Sequence, residues 1–235
     1  MKRNATRRLL TALLAAAMCL SMAACGSKPA ADNGSSDTDT SASDNAARKY
    51  TIGVCQLVTH DALDAATQGF IDAVQEKLGA DNVDISVQNA ANDQNVCTTI
   101  VNTFVSQKVD LIMANATPSL QAAYNATTEI PILGTAVTEY GVALGLKDFN
   151  GTVGGNVSGT SDLAPLTEQA DMILELFPEA KTVGLLYCSA EPNSAYQVQV
   201  VEEYLTDKGI ACQRYSFSDS NDVAAVTTKA AADSD

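Results

Sequence analysis

The side chains able to make specific polar contacts gather in five short runs, four of them directly after an apolar stretch and one within a Gly-rich segment. They are Val58-Thr59-His60-Asp61, Asn115-Ala116-Thr117-Pro118-Ser119, Thr135-Ala136-Val137-Thr138, Ser158-Gly159-Thr160-Ser161-Asp162 and Ser189-Ala190-Glu191-Pro192-Asn193-Ser194. Hydroxyls at Thr117, Ser119 and Ser161, with nearby helix N-terminal amides, suit a carboxylate. Asp162 or Glu191 suits an ammonium. The set points to an amino acid or similar small zwitterion. A sugar site is expected to stack aromatic rings, and the chain has no Trp. A second reading needs no ligand: Asp61, Thr117 and Asn193 are well placed as helix N-caps, and Asp162 and Glu191 read also as solvated loop acids.

Groups that would do covalent chemistry are missing from the sequence pattern. There is no G-x-S-x-G, no Walker loop and no H-E-x-x-H. The single histidine leaves little room for a metal site or a His-based triad. Gly151 to Gly159 is glycine-rich but lacks the strand-then-helix setting of a dinucleotide fingerprint. The expectation is a binding protein with no catalytic residue, metal or cofactor. Cys55 and Cys97 have no C-x-x-C spacing, and Cys188 and Cys212 fall at the end of one strand and the start of the next, too far apart for a disulfide. All four read as buried, reduced thiols.

The five runs must be held by regular elements, and strand and helix patterns alternate from Tyr50 onward. Apolar strands are expected at Tyr50 to Val58, Val83 to Val87, Leu111 to Ala114 and Ile130 to Thr135. Between them, Leu63, Ala66, Phe70, Val74 and Leu78 form one helical stripe and Val96, Ile100 and Phe104 another. The pattern resumes with a helix from Leu166 to Phe177, a strand at Thr182 to Tyr187, a helix through Val198, Val201 and Leu205, and a strand at Ala211 to Phe217. This is the succession of parallel sheets covered by helices, with ligand contacts outside the strands' carboxyl ends.

A weak internal repeat argues for two lobes rather than one large sheet. Thr51-Ile52-Gly53-Val54 is echoed by Thr182-Val183-Gly184-Leu185, Gly79 by Gly209, and Asn92-Asp93 by Asn221-Asp222, at offsets of about 130 residues. A single doubly wound domain is the competing reading. The expected organisation is a first lobe at 49–138, a crossover or hinge at 139–163 and a second lobe at 164–235. The first lobe's third strand should recur near position 240, so the second lobe is expected to be incomplete.

Gln56 to Ala65, Ala114-Asn-Ala-Thr-Pro118, Ile130 to Thr138, Gly155 to Asp162 and Pro192-Asn-Ser194 together resemble the ABC-transporter substrate-binding family that includes tryptophan- and tyrosine-binding lipoproteins. The resemblance runs over nearly all of residues 50–235. It implies the periplasmic-binding-protein fold, with two doubly wound α/β lobes, a hinge and a cleft. It also implies uptake of a small solute, often an aromatic amino acid, through a permease and an ATPase encoded elsewhere. Carried over by position, the cleft would use Thr117 and the Thr135 to Thr138 strand end from one side. Ser161, Asp162, Glu191 and Asn193 would face it, with Thr59 beside them. A lipoprotein sensor that signals to a membrane receptor is the alternative function, and a secreted hydrolase a more distant one.

The chain's first segment fits that setting. Lys2, Arg3, Arg7 and Arg8 precede the apolar run Leu9 to Leu20 and the small residues before Cys25, the order of a secretory signal peptide over residues 1–24. Cleavage before Cys25 would leave a lipidated N-terminus anchoring an extracytoplasmic protein to the cell membrane. Residues 25–48, poor in apolar side chains, read as a disordered tether. Loss of the leader would leave ten basic against 28 acidic residues, a net charge of −18 in place of −14. Such a surface disfavours nucleic acid as a partner.

Overall fold

The computed structural model describes residues 49–235; the leader, Cys25 and the tether lie outside them. Two parallel sheets organise the described chain. The larger has the strand order 83–89, 50–56, 111–115, 132–137, 157–161, and the smaller pairs 182–188 with 211–217.

The larger sheet is built from β1 (Tyr50–Gln56), β2 (Val83–Asn89), β3 (Leu111–Asn115), β4 (Ile132–Val137) and β5 (Val157–Ser161). Its central strands are apolar on both faces, as strands covered by helices on two sides must be. Ile52, Val54 and Met113 pack beneath Phe70 and Val74 of α1 (Asp61–Leu78). Cys55, Ile112, Ala114 and Ile132 face the opposite way, toward Ile100, Val101 and Phe104 of α2 (Gln94–Gln107) and Leu120 and Ala123 of α3 (Thr117–Ala126). Gly53 gives Phe104 its place: a Cβ there would meet the ring at 2.5 Å.

The segment 139–163, which the sequence presents as an unpatterned crossover, contains two further elements of this half. Tyr140–Leu144 forms the short helix α4, and Val157–Ser161 is the fifth strand, paired with β4. Their residues are too few, and too rich in Gly, Ser and Thr, to show a period. Tyr140 explains part of the composition. Its ring lies against β4 and β5 where a Cβ at Gly134 or Gly159 would come within 2.5 or 2.2 Å of its hydroxyl.

The second half runs α5 (Leu166–Leu176), β6 (Thr182–Cys188), α6 (Pro192–Asp207), β7 (Ala211–Phe217) and α7 (Val223–Asp233). The repeat seen in the sequence is in part a repeat of conformation. Gly79 follows α1 at φ 86° and Gly209 follows α6 at φ 83°, both in the left-handed region that favours glycine. Asp93 and Asp222 both precede helices but differ: Asp93 is extended and caps α2 with its carboxylate, whereas Asp222 is helical and makes no capping bond. In the first half the Thr51 N–H donates to Asp110 Oδ2 at 2.9 Å and the Asp110 N–H to the Thr51 carbonyl at 2.8 Å. In the second, the Thr182 N–H donates to Asp235 Oδ2 at 2.9 Å and the Asp235 N–H to the Thr182 carbonyl at 3.1 Å. Asp235 thus meets Thr182 as Asp110, which precedes β3, meets Thr51. The two aspartates are 125 residues apart, fewer than the roughly 130 of the other landmarks, in part because α7 has 11 residues where α2 has 14.

Among the described residues, no helix is long and apolar enough to cross a membrane.

Candidate ligand site at the seam between the two halves

The carboxyl ends of β3 and β4 meet the start of α6 at one buried point. Asn193, 1 % exposed, donates from Nδ2 to Thr117 Oγ1 at 3.1 Å and accepts at Oδ1 from the Glu139 N–H at 3.2 Å. Thr117 opens α3, and Glu139 caps α4 by accepting from the Gly141 and Val142 amides. One side chain of the second half therefore ties down two strand-end loops of the first.

The turn into α3 is strained. Ala116 holds φ 85° and ψ 160°, a region almost reserved for glycine, while its N–H donates to the Thr135 carbonyl at 3.0 Å. Ala136, on the neighbouring strand end, has φ 53°. Two left-handed alanines side by side, at the ends of adjacent strands, mark where the backbone has been bent to present a loop rather than relaxed.

Beside Glu139 lies a cavity of about 420 Å³, in the range typical of small-molecule sites. Tyr140, Phe149 and Val153 supply apolar surface to it, and Ser158 and Ser161 supply hydroxyls. The Tyr140 hydroxyl donates to the Thr160 carbonyl at 3.1 Å. Burial, and secondarily the charge of Asp162, push its ionisation up to about 12, so the phenol stays a neutral donor.

The other sequence-predicted residues separate into distinct environments. Ser161 donates to the Thr138 carbonyl at 2.6 Å and lines the cavity, and Asp162 is exposed directly after it. Thr135 lies 3.3 Å from Thr160, hydroxyl to hydroxyl, in a separate groove floored by Phe70, Met113 and Leu133. Thr59 accepts from Asn89 at 3.2 Å, out at the β2 edge. Ser119 is turned into the core, its hydroxyl shared by the thiols of Cys55 and Cys97 at 3.5 and 3.6 Å. A ligand carboxylate cannot use it there.

The expected N-caps also move. His60, Ala116 and Glu191 occupy the capping positions, leaving Asp61 and Thr117 as first helical residues and Asn193 inside the first turn. Glu191 spends Oε2 on the Ser194 amide at 2.7 Å, and its Oε1 is buried with no hydrogen-bond partner among the described residues. Glu139 was not singled out by sequence, because it sits in the segment with no readable period. Among the described residues no three His, Cys, Asp or Glu side chains are grouped to hold a metal ion.

Two helix-covered parallel sheets, tied at strand-end loops by Asn193, with a small-molecule-sized cavity lined by residues 139–163, define a parallel α/β architecture of the ligand-binding kind. Residues 51–235 match the family of ABC transporter substrate binding proteins, and the chain belongs to that family. It is 37% identical over 220 residues to the tyrosine-binding protein of Clostridioides difficile (strain R20291), covering 93% of this chain and 63% of that one. A Streptococcus pneumoniae domain in complex with L-Trp superposes with a TM-score of 0.74 at 32% identity, over 80% of this chain and 63% of the other. A ligand-free, open substrate-binding protein from Clostridium difficile is 42% identical but superposes at only 0.57, over 77% and 61%. The chain thus spans a little under two thirds of these relatives. The TM-score is higher against the L-Trp complex than against the open structure, although the identity is lower.

Proposed function

We propose that this chain is the solute-binding component of an ABC-type importer, exported and held at the cell membrane through a lipidated Cys25, and that its ligand is an aromatic amino acid. The observation that carries the reading is the closed seam at Asn193, Thr117 and Glu139 beside a cavity combining an aromatic wall with serine hydroxyls. The tyrosine and tryptophan named for two of its relatives support the choice of ligand. The Ser158 hydroxyl serves the carboxylate, the exposed Asp162 next to Ser161 serves the ammonium, and Phe149 packs on the ring. Release reverses the seam by hinge motion, so that a permease and ATPase receive the solute without any covalent step.

Titration calorimetry of the chain against the twenty amino acids tests this. Tyrosine or tryptophan is expected to bind, with Asp162→Asn weakening binding by about 1 to 3 kcal/mol through loss of a charge-assisted hydrogen bond. Absence of binding by any aromatic amino acid overturns the ligand assignment, and an unchanged affinity in Asp162→Asn overturns the role of Asp162.

A further inference from the structure

Four cysteines lie among the described residues, and the fold treats them as two unlike pairs. Cys188 and Cys212 sit at opposite ends of neighbouring strands: Cys212 is in register with Val183, and Cys188 with Phe217. Five residues of strand, roughly 16 Å, separate them. Cys55 and Cys97 are 42 residues apart in sequence yet converge on one atom. Cys55 reaches from the centre of β1 and Cys97 from the first turn and a half of α2, and both thiols contact Ser119 Oγ in the core. Both cysteines are wholly buried.

We propose that Cys55 and Cys97 form a disulfide when the chain folds in the presence of a low-molecular-weight disulfide or a thiol–disulfide oxidoreductase. The two thiols are already neighbours, each shifting the other's ionisation. Cys97 is drawn down, first by the hydrogen bond from Cys55, while Cys55 is raised by that same bond and by burial. Cys97, which stands nearer a helix end, is the thiol that attacks first.

The elements agree with this order of events. Cys55 is fixed between Gln88 and Ala114 in the middle of the sheet. Cys97 follows three exposed residues, Gln94 to Val96, at a helix end where fraying admits a reagent. Cys97 sulfur attacks the external disulfide, forming a mixed disulfide and expelling one thiol. Cys55 thiolate then attacks the Cys97 sulfur and expels the second. Two thiol protons are released to solvent or to the leaving thiolates, and the external disulfide takes up the two electrons. The bridge ties α2 to β1 directly behind α3, the helix that carries Thr117.

The full chain, refolded from denaturant in a reduced and oxidised glutathione couple and also incubated natively with it, is alkylated under denaturing conditions and mapped without reduction. A Cys55 peptide joined to a Cys97 peptide, with Cys188 and Cys212 alkylated, is the expected result. The bridged form should melt at a higher temperature than the same sample after dithiothreitol, and Cys97→Ser should abolish the difference. Recovery of Cys55 and Cys97 as alkylated thiols in both treatments, a lasting glutathione adduct on Cys97, or a Cys188–Cys212 link overturns the proposal.

Discussion

The Asn193 carboxamide reaches across from one sheet's helix to the hydroxyl of Thr117 on the other, and at 3.1 Å this bond lies inside the protein. Its second end is taken by the Glu139 amide, so the side chain is satisfied only when the two halves are together. Substituting Asn193 by Ala leaves Thr117 and the Glu139 N–H without their partner. The expected cost is about 1 to 3 kcal/mol in the contact between halves. Small-angle scattering should show a larger radius of gyration for the variant at unchanged helix content by circular dichroism.

Tyr140 makes stability depend on alkaline pH. A phenol whose ionisation is raised from its ordinary value near 10 to about 12 contributes stability that is complete below pH ~10 and lost as pH rises toward 12. The loss amounts to about 2 to 3 kcal/mol. Tyr140→Phe should flatten this part of the denaturant-midpoint profile while costing about 1 kcal/mol at neutral pH, from the bond to the Thr160 carbonyl.

Ala116 predicts a gain. Glycine tolerates φ 85° and ψ 160°, so Ala116→Gly should raise stability by about 1 kcal/mol, the relief of strain outweighing the added chain entropy. A lower denaturant midpoint in the variant would show that the turn is not under the strain its dihedrals indicate.

The proposed anchor rests on the junction before Cys25. Cys25→Ser should move the protein from the membrane fraction to the medium or periplasm, as read by immunoblot. Retention with membranes would mean the attachment lies elsewhere.

The alternating β-α order and the core stripes were legible in the sequence because both halves repeat one pattern of Val, Ile, Leu and Gly. The seam was legible in part. Thr117 and Asn193 were expected at the cleft, but that they bond to one another depends on how the halves approach, which no local pattern encodes. Ser119 was assigned to the same ligand as Thr117, yet two steps along a helix rotate a side chain by about 200°, which turns it away. That much geometry was available from the spacing alone. Glu139, Tyr140 and β5 escaped because Gly134 and Gly159 are read as flexible until the ring that needs their missing Cβ atoms is seen. Cys55 and Cys97 carry no motif, since their meeting depends on tertiary packing.

The clasp between Asp235 and Thr182 has a kinetic consequence. Like the bond between Asp110 and Thr51, it joins the start of a strand to an aspartate more than fifty positions away, 53 residues in one case and 59 in the other. Pairings that close such long stretches of chain follow the local helices in time, so both clasps should form late in folding.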